Sequence, residues 1–224
     1  MKEFTYEQIK TMCELQDSMN KQVHPEWEKQ GYNWNRAKNV ELVELIDSTD
    51  WKWWKHQEID YENIKVETID IWHFVLSNIM EYWMNETNHH HEVDMYTTIA
   101  NDFNCIMRYS ESNEDIDLLY YTDLMLSSDL DEWFEDNIIA FYGIMNNIGM
   151  DTDDLYKGYI TKNVLNKFRQ DHGYKDGIYK KQWIYQQQEV EDNVVAFSIA
   201  KDLEANEDFL KNLKKALENI YSRM

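Results

Sequence analysis

The sequence predicts an all-α protein, a helical bundle, and three observations carry that prediction. Apolar residues recur at spacings of three and four along most of the chain, the signature of amphipathic helices. Turn formers are scarce: the 224 residues hold one proline, Pro25, and six glycines, where average usage would give roughly 11 and 16. That shortage excludes an all-β sandwich or barrel, which needs a turn every ten residues or so. Finally, 43% hydrophobic and 14% aromatic residues supply a core, so the formal net charge of −21 does not signal disorder.

Residues 5–23 place Ile9, Met12, Cys13, Leu15, Met19 and Val23 on helical spacing. His24-Pro25 ends that helix, because proline lacks an N–H and restricts the residue before it. Residues 34–50 make a second helix that runs into Asp50-Trp51-Lys52-Trp53-Trp54-Lys55. A third, over 61–84, carries Ile64, Ile69, Ile71, Trp72, Val75, Leu76, Ile79 and Met80. A polar break follows over 85–92. Two or three helices fill roughly 93–148, with separations near 110–114 and 127–131. Asp151 and Asp153 suit a helix start for a segment running to about Gln170. Gly173 to Gly177 forms a loop, and two short helices close the chain after Asn193. No internal repeat or sustained heptad pattern is present.

The charge of −21 opposes duplex nucleic acid and anionic membranes as partners. No run of eighteen apolar residues exists to span a bilayer, and the first residues lack the apolar stretch of a signal peptide. Cys13 and Cys105 are too few and too far apart for a disulfide framework or a zinc knuckle. They read as two buried thiols in a reducing, cytoplasmic compartment.

Two segments stand out, Val40-Glu-Leu-Val-Glu-Leu-Ile46 and Val66-Glu-Thr-Ile-Asp-Ile-Trp72. Each sets two carboxylates at i and i+3 on one helix face. The spacing alone is weak evidence in so acidic a chain. It recurs at Glu14/Asp17, Glu111/Glu114, Asp129/Glu132, Glu132/Glu135 and Asp151/Asp154, where a solvated face is the ordinary reading. What separates Glu41/Glu44 and Glu67/Asp70 is their surroundings. Val40, Leu42, Val43, Leu45 and Ile46 cover nearly the whole circumference of their helix, which predicts burial. Buried carboxylates must be paired, protonated or bound to metal. Hard oxygen ligands without thiolate favour Mg²⁺, with Mn²⁺ the other candidate. Two amphipathic helices with surface acids remain the plain alternative. A di-iron carboxylate bundle is another, since Asp70/His73 and Glu86/His89 have the acid-x-x-His spacing. Glu86, however, sits in the polar stretch Asn85-Glu-Thr-Asn-His-His-His91, which reads as a solvated turn.

The basic residues cluster. Six of the 22 fall within 162–181: Lys162, Lys167, Arg169, Lys175, Lys180 and Lys181. Lys162, Asn166 and Arg169 share one helical stripe. Asn166 offers the donor and acceptor that would read an amide edge such as a pyrimidine's. Arg169 and Lys175 suit phosphates, the first as a fork and the second as a point charge. Gly173 and Gly177 bracket a loop whose backbone N–H groups could approach an anion. Cations solvated at a helix C-terminus are the ordinary alternative. An acidic cluster that needs metal, together with a basic segment that suits an anion, points to a metal-bridged polyphosphate substrate. No P-loop or dinucleotide fingerprint is present.

Glu41-x-x-Glu44 followed by Glu67-x-x-Asp70 resembles the metal motif of the all-α nucleoside-triphosphate pyrophosphatase superfamily, which includes the MazG proteins. Val40 to Ser48, Trp51-Lys-Trp-Trp-Lys55, Asp70-Ile-Trp-His-Phe74 and Lys162 to Gln170 with Gly173-Tyr-Lys-Asp-Gly177 are similar to the dimeric all-α dUTPases. The resemblance runs in order from about residue 12 to 181 and is weakest over 85–150. It implies one dUTPase domain over 1–224. Its core and active site would lie in 1–84 and 151–224, with a helical insertion of open role at about 85–150.

The resemblance also implies that Glu41, Glu44, Glu67 and Asp70 hold Mg²⁺. Lys162, Asn166, Arg169, Tyr174 and Lys175 match the segment that closes over base and phosphates. Gln16, Asn20, Trp53 and His73 match the uracil and deoxyribose pocket, and Lys180 and Lys181 extend the phosphate-binding loop. The implied enzyme is a homodimeric dUTP diphosphatase. It hydrolyses dUTP, with dUDP a candidate second substrate, to dUMP and pyrophosphate by attack of a metal-activated water on the α-phosphorus. Glu44, or failing it Glu41, would be the base. A MazG-like pyrophosphatase with another base preference and a non-enzymatic helical interaction protein are the competing readings.

Overall fold

The computed structural model of the chain describes residues 2–85, 94–110, 116–130 and 134–223. Among them the α-helices are α1 (Tyr6–Val23), α2 (Trp34–Asp47), α3 (Tyr61–Asn85), α4 (Met95–Ser110), α5 (Leu118–Ser127), α6 (Phe134–Asn147), α7 (Thr152–Asp171), α8 (Asp192–Asp202) and α9 (Phe209–Tyr221). One 3₁₀ turn (Trp27–Lys29) follows α1, and strands β1 (Gln182–Tyr185) and β2 (Gln188–Glu191) precede α8. The fold is all-α, as the apolar spacing and the lack of turn formers predict. The chain divides into two compact units, Met1–Thr152 and Asp153–Met224. No helix among the described residues is long and apolar enough to cross a membrane.

In the first unit, α1 begins with a capping box: Thr5 accepts from the Gln8 N–H at 3.2 Å, and the Gln8 side chain accepts from the Thr5 N–H at 3.0 Å. Asn104 of α4 then pairs the backbone of Phe4 at 2.8 and 2.9 Å. Helix α3 is the axis of the core. Ile64, Ile69, Ile71, Trp72, Val75, Leu76, Ile79 and Met80 are all buried, and α2 packs along it. Trp72 stacks between Phe4 and Phe141 and meets Phe103 edge-on, joining the start of the chain, α4 and α6.

Helix α2 departs from the expected all-round burial. Its buried residues are Lys38, Leu42 and Leu45, one stripe at i, i+4 and i+7. Val40 and Val43 are 51% and 57% exposed. Apolar residue type alone therefore overstated the burial, because only one side of this helix meets α3. Cys13 is buried, as expected, and burial pushes its thiol up to about 12. Cys105 is exposed rather than buried, since Ile99, Ala100, Phe103 and Met107 form the inward stripe of α4.

The first unit contains one unexpected buried cation. Lys38 is fully buried, and its ammonium donates to Met125 O at 2.6 Å, Ser128 O at 2.8 Å and Asn137 Oδ1 at 2.9 Å. Two of those acceptors are carbonyls at the C-terminal end of α5, where a positive charge is favoured. Burial lowers this ammonium to about 8, with the Asp129 charge acting the other way. Lys38→Met keeps the apolar stem but strands these acceptors, at about 1–3 kcal/mol each. A loss of about 3 kcal/mol or more in urea unfolding is expected; a variant as stable as wild type would show that the acceptors rehydrate.

In the second unit, α7 ends in a Schellman motif. Tyr174 N–H donates to Arg169 O at 2.9 Å and Gly173 N–H to Gln170 O at 3.2 Å. Gly173 takes φ 80°, a conformation glycine adopts without steric cost. Strands β1 and β2 pair in antiparallel register, Gln182 opposite Glu191 and Tyr185 opposite Gln188. Trp183 is fully buried and donates its indole N–H to Lys180 O at 2.9 Å. It joins Phe168 and Tyr221 in an aromatic core, with Tyr179 stacked on Tyr221.

Candidate active site

Glu41 on α2 faces Glu67 and Asp70 on α3, and one carboxylate oxygen from each lies within 4.8 Å of the others. The pairing of the two helices creates this group: i and i+3 spacing puts Glu67 and Asp70 on the same side of α3, and Glu41 meets them from across. Glu67 is buried; Glu41 and Asp70 are half-buried. Glu44 lies one turn further along α2, is exposed, and is not one of the three. Its charge still acts on Glu41. Burial first, then the charges of Asp70, Glu44 and Glu67 and a hydrogen bond with Glu67, raise the Glu41 carboxyl to about 7.

Three converging carboxylates fit a hard divalent cation, since oxygen ligands without thiolate or imidazole suit Mg²⁺ and Mn²⁺ better than zinc or iron. His73 is not in the group, which weakens the di-iron reading; Glu86, His89 and the rest of the triple histidine lie outside the described residues. The same holds for Glu111, Glu114 and Glu132.

The raised Glu41 carboxyl has a sign that can be tested. A carboxyl whose folded value lies above its unfolded one contributes stability fully below the unfolded value, about 4.5, and loses it as pH rises through about 7. The cation-free protein is therefore expected to weaken over that window. A divalent cation must displace the proton, so its thermal stabilisation should be larger one pH unit above about 7 than one unit below. Equal melting shifts at the two pH values would exclude Glu41 from cation binding.

Beside this group lies a buried polar network, which joins three of the expected pocket residues. His73 Nδ1 bonds Gln16 Oε1 at 2.8 Å, while Gln16 Nε2 donates to Asn20 Oδ1 at 3.0 Å and to Ser77 Oγ at 2.8 Å. Asn20 also donates to Ser77 Oγ at 3.1 Å, and Ser77 donates to His73 O at 2.9 Å. Because Gln16 presents its oxygen, a neutral His73 carries its proton on Nδ1 and leaves Nε2 as an acceptor. Ser77 is the residue that sequence reasoning missed. Its one donor and two acceptor sites are all engaged, and a serine in the apolar run Ile71–Met80 was the available signal.

Trp53 is elsewhere in character, 89% exposed on the loop between α2 and α3. The loop is closed at its base, where Asp60 N–H donates to Ser48 O at 2.9 Å and Asn63 to Ser48 Oγ at 2.8 Å. Trp54 packs edge-on against both Trp51 and Trp53, and Lys52 pairs with Asp47.

In the second unit, Lys162, Asn166 and Arg169 follow one another along α7. Arg169 is held by Asp192 through two bonds of 2.8 Å, and its Nη1 lies 3.5 Å from Asn166 Oδ1. Lys175 and Tyr174 sit exposed in the turn between Gly173 and Gly177. The Lys181 ammonium lies 5.3 Å from the centre of the Tyr174 ring, and Lys180 is exposed next to it in sequence. The basic segment is thus an α7 C-terminus followed by a glycine-bounded turn.

An all-α scaffold whose paired helices bring three carboxylates together is suited to hold a divalent cation. The model of the dUTPase family matches residues 8–174, and the chain belongs to that family. It is an enzyme, a dUTP diphosphatase, of a family that generally depends on divalent metal. No curated protein matches the chain. The family match runs from within α1 through α7 to Tyr174; the rest of the Gly173–Gly177 turn, the hairpin, α8 and α9 lie beyond it.

Proposed function

We propose that the enzyme hydrolyses dUTP to dUMP and pyrophosphate with Mg²⁺, or Mn²⁺ in its place, held by Glu41, Glu67 and Asp70, with Glu44 as a further ligand. The observation that carries this reading is the convergence of the first three carboxylates from α2 and α3. When bound, the cation polarises phosphate oxygens and makes a water acidic enough to act as nucleophile. Glu44, exposed beside the group, has an oxygen available to orient that water and take its proton. Water attacks the α-phosphorus in line, and pyrophosphate leaves. Arg169 and Lys175 offset the charge that builds on the phosphates. Lys162, Asn166 and Tyr174 contact base and phosphates, with Lys180 and Lys181 extending the basic loop. Gln16, Asn20, Trp53 and His73 shape the uracil and deoxyribose pocket, the first, second and fourth as one pre-set network.

The whole chain, 1–224, is read as a single dUTPase domain with 85–150 inserted into it. The exposed Val40 and Val43 support a homodimer, because apolar side chains on the outer face of a helix favour a second surface to cover them. Light scattering should then give twice the mass of one chain. A cytoplasmic location agrees with the free cysteines.

The deciding experiment is a substrate panel with and without Mg²⁺. Pyrophosphate release from dUTP should exceed that from dTTP and dCTP by well over tenfold and stop when the cation is chelated. Equal rates on all three nucleotides would remove the dUTP assignment, and a rate indifferent to chelation would remove the cation.

A further inference from the structure

Asp192 lies beyond the segment that matches the dUTPase family, yet it is tied to the basic residue most suited to phosphate. Its side chain is fully buried at the first residue of α8. Oδ2 accepts from Arg169 Nε and Oδ1 from Arg169 Nη2, both at 2.8 Å, a bidentate fork. Tyr179 adds its hydroxyl to Oδ2 at 2.7 Å, and Asn193 N–H donates to Oδ1 at 2.8 Å. The backbone is pinned as well, since Asp192 N–H donates to Lys181 O at 2.8 Å. Burial alone would raise this carboxyl, but the bonds from Arg169 and Tyr179 and the guanidinium charge outweigh it and hold it below the usual range.

Arg169 is fixed at both ends. Its carbonyl closes the Schellman motif at the end of α7, and its guanidinium is clamped on Asp192. An arginine on a surface explores many rotamers; this one is confined to a single orientation by a buried partner whose charge would be stranded if the pair opened. With Nε and Nη2 bound to Asp192, the edge turned away from the carboxylate is Nη1, which lies beside Asn166. A donor pre-set in this way loses little entropy when an anion arrives.

We propose that Asp192 is a positioning residue for dUTP hydrolysis: it clamps Arg169 so that the Nη1 edge is the fixed donor to a substrate phosphate. This rests on the reading of Arg169 as a phosphate ligand. The test is steady-state pyrophosphate release from dUTP by the full chain with Mg²⁺, for Asp192→Asn, Arg169→Lys, Arg169→Ala and the double variant D192N/R169A. A merely structural role would lower the fraction of active enzyme, hence kcat, and leave KM alone. Positioning predicts instead that D192N raises KM about tenfold or more, and that D192N/R169A is no worse than R169A, because Asp192 acts through Arg169. R169K keeps the charge but not the fork, and leaves Asp192 in place. It should raise KM comparably, and it decides the matter if D192N does not fold. Wild-type KM in D192N or R169K while R169A is impaired overturns the positioning role, as does a multiplicative loss in the double variant. Wild-type KM in R169A overturns the phosphate assignment of Arg169, and the proposal with it.

Discussion

Glu67→Gln is expected to lower kcat for dUTP about a thousandfold or more while raising the melting temperature of the cation-free protein. Both effects come from the same geometry. Glu67 is the buried member of the three-carboxylate group, 7% exposed, and removing its charge removes one of the proposed cation ligands. Preorganised electrostatic groups at a reacting centre are commonly worth about 10²–10³ in rate individually, and loss of the cation removes its charge stabilisation as well. In the absence of cation, however, Glu67 is one of the charges that push the Glu41 carboxyl up to about 7. An amide in its place can donate to Glu41 and ends one repulsion, so the variant should melt a few degrees higher, since about 1 kcal/mol corresponds to roughly 2–4 °C in a chain of this size. The stabilisation that divalent cation gives the wild type should be lost. Glu44→Gln provides the contrast. It leaves Glu41, Glu67 and Asp70 in place, so cation should still raise its melting temperature, while turnover falls nearly to background if Glu44 is the base. Wild-type turnover in E67Q would remove the cation-site model; wild-type turnover in E44Q would pass the base role to Glu41.

The helices were legible because their signals are local. The capping box at Thr5 and Gln8, the break at Pro25 and the Gly173 turn all lie within a few residues of the boundaries they set. The hairpin was not legible. Its turn residues Gln186 and Gln187 both take positive φ, 49° and 66°, where Asn-Gly or Asp-Gly would have been the recognisable signal. The carboxylate group was legible as a motif, but not which of its members converge. Residues at i and i+3 share a helix face, yet they differ by about 60° around the axis. That is enough for Glu41 to meet α3 and for Glu44 to remain exposed. Lys38 and Asp192 were invisible for the opposite reason. Their partners lie 87 to 99 residues away for Lys38 and 23 away for Arg169 on Asp192, and no local pattern marks a charge that will be buried.

Trp72→Ala is the other large expected effect, a loss of about 3–5 kcal/mol for truncating a fully buried tryptophan. The Trp72 ring lies 5.4 Å from Phe141 and 5.2 Å from Phe103 between centroids, and nearly parallel to Phe4 at 6.2 Å. Such pairs add about 0.5–1.5 kcal/mol beyond area burial. Shape rather than hydrogen bonding should account for the loss, because the Trp72 indole N–H is buried with no partner among the described residues. Trp72→Phe should therefore cost far less than Trp72→Ala, about 1–2 kcal/mol, since it keeps a ring in the stack and removes an N–H that bonds none of the described residues. Urea unfolding of the two variants separates the possibilities. Near-equal losses would mean that the ring contacts contribute little and that the cavity collapses around either side chain. The functional consequence follows from position: Trp72 stands between Asp70 and His73 on α3. In W72A, α3 loses its anchorage to Phe4, α4 and α6, so both Asp70, a proposed cation ligand, and the Gln16–His73 network lose their fixed orientation. The KM for dUTP should then rise even at temperatures where the variant remains folded, whereas W72F should keep a KM close to wild type.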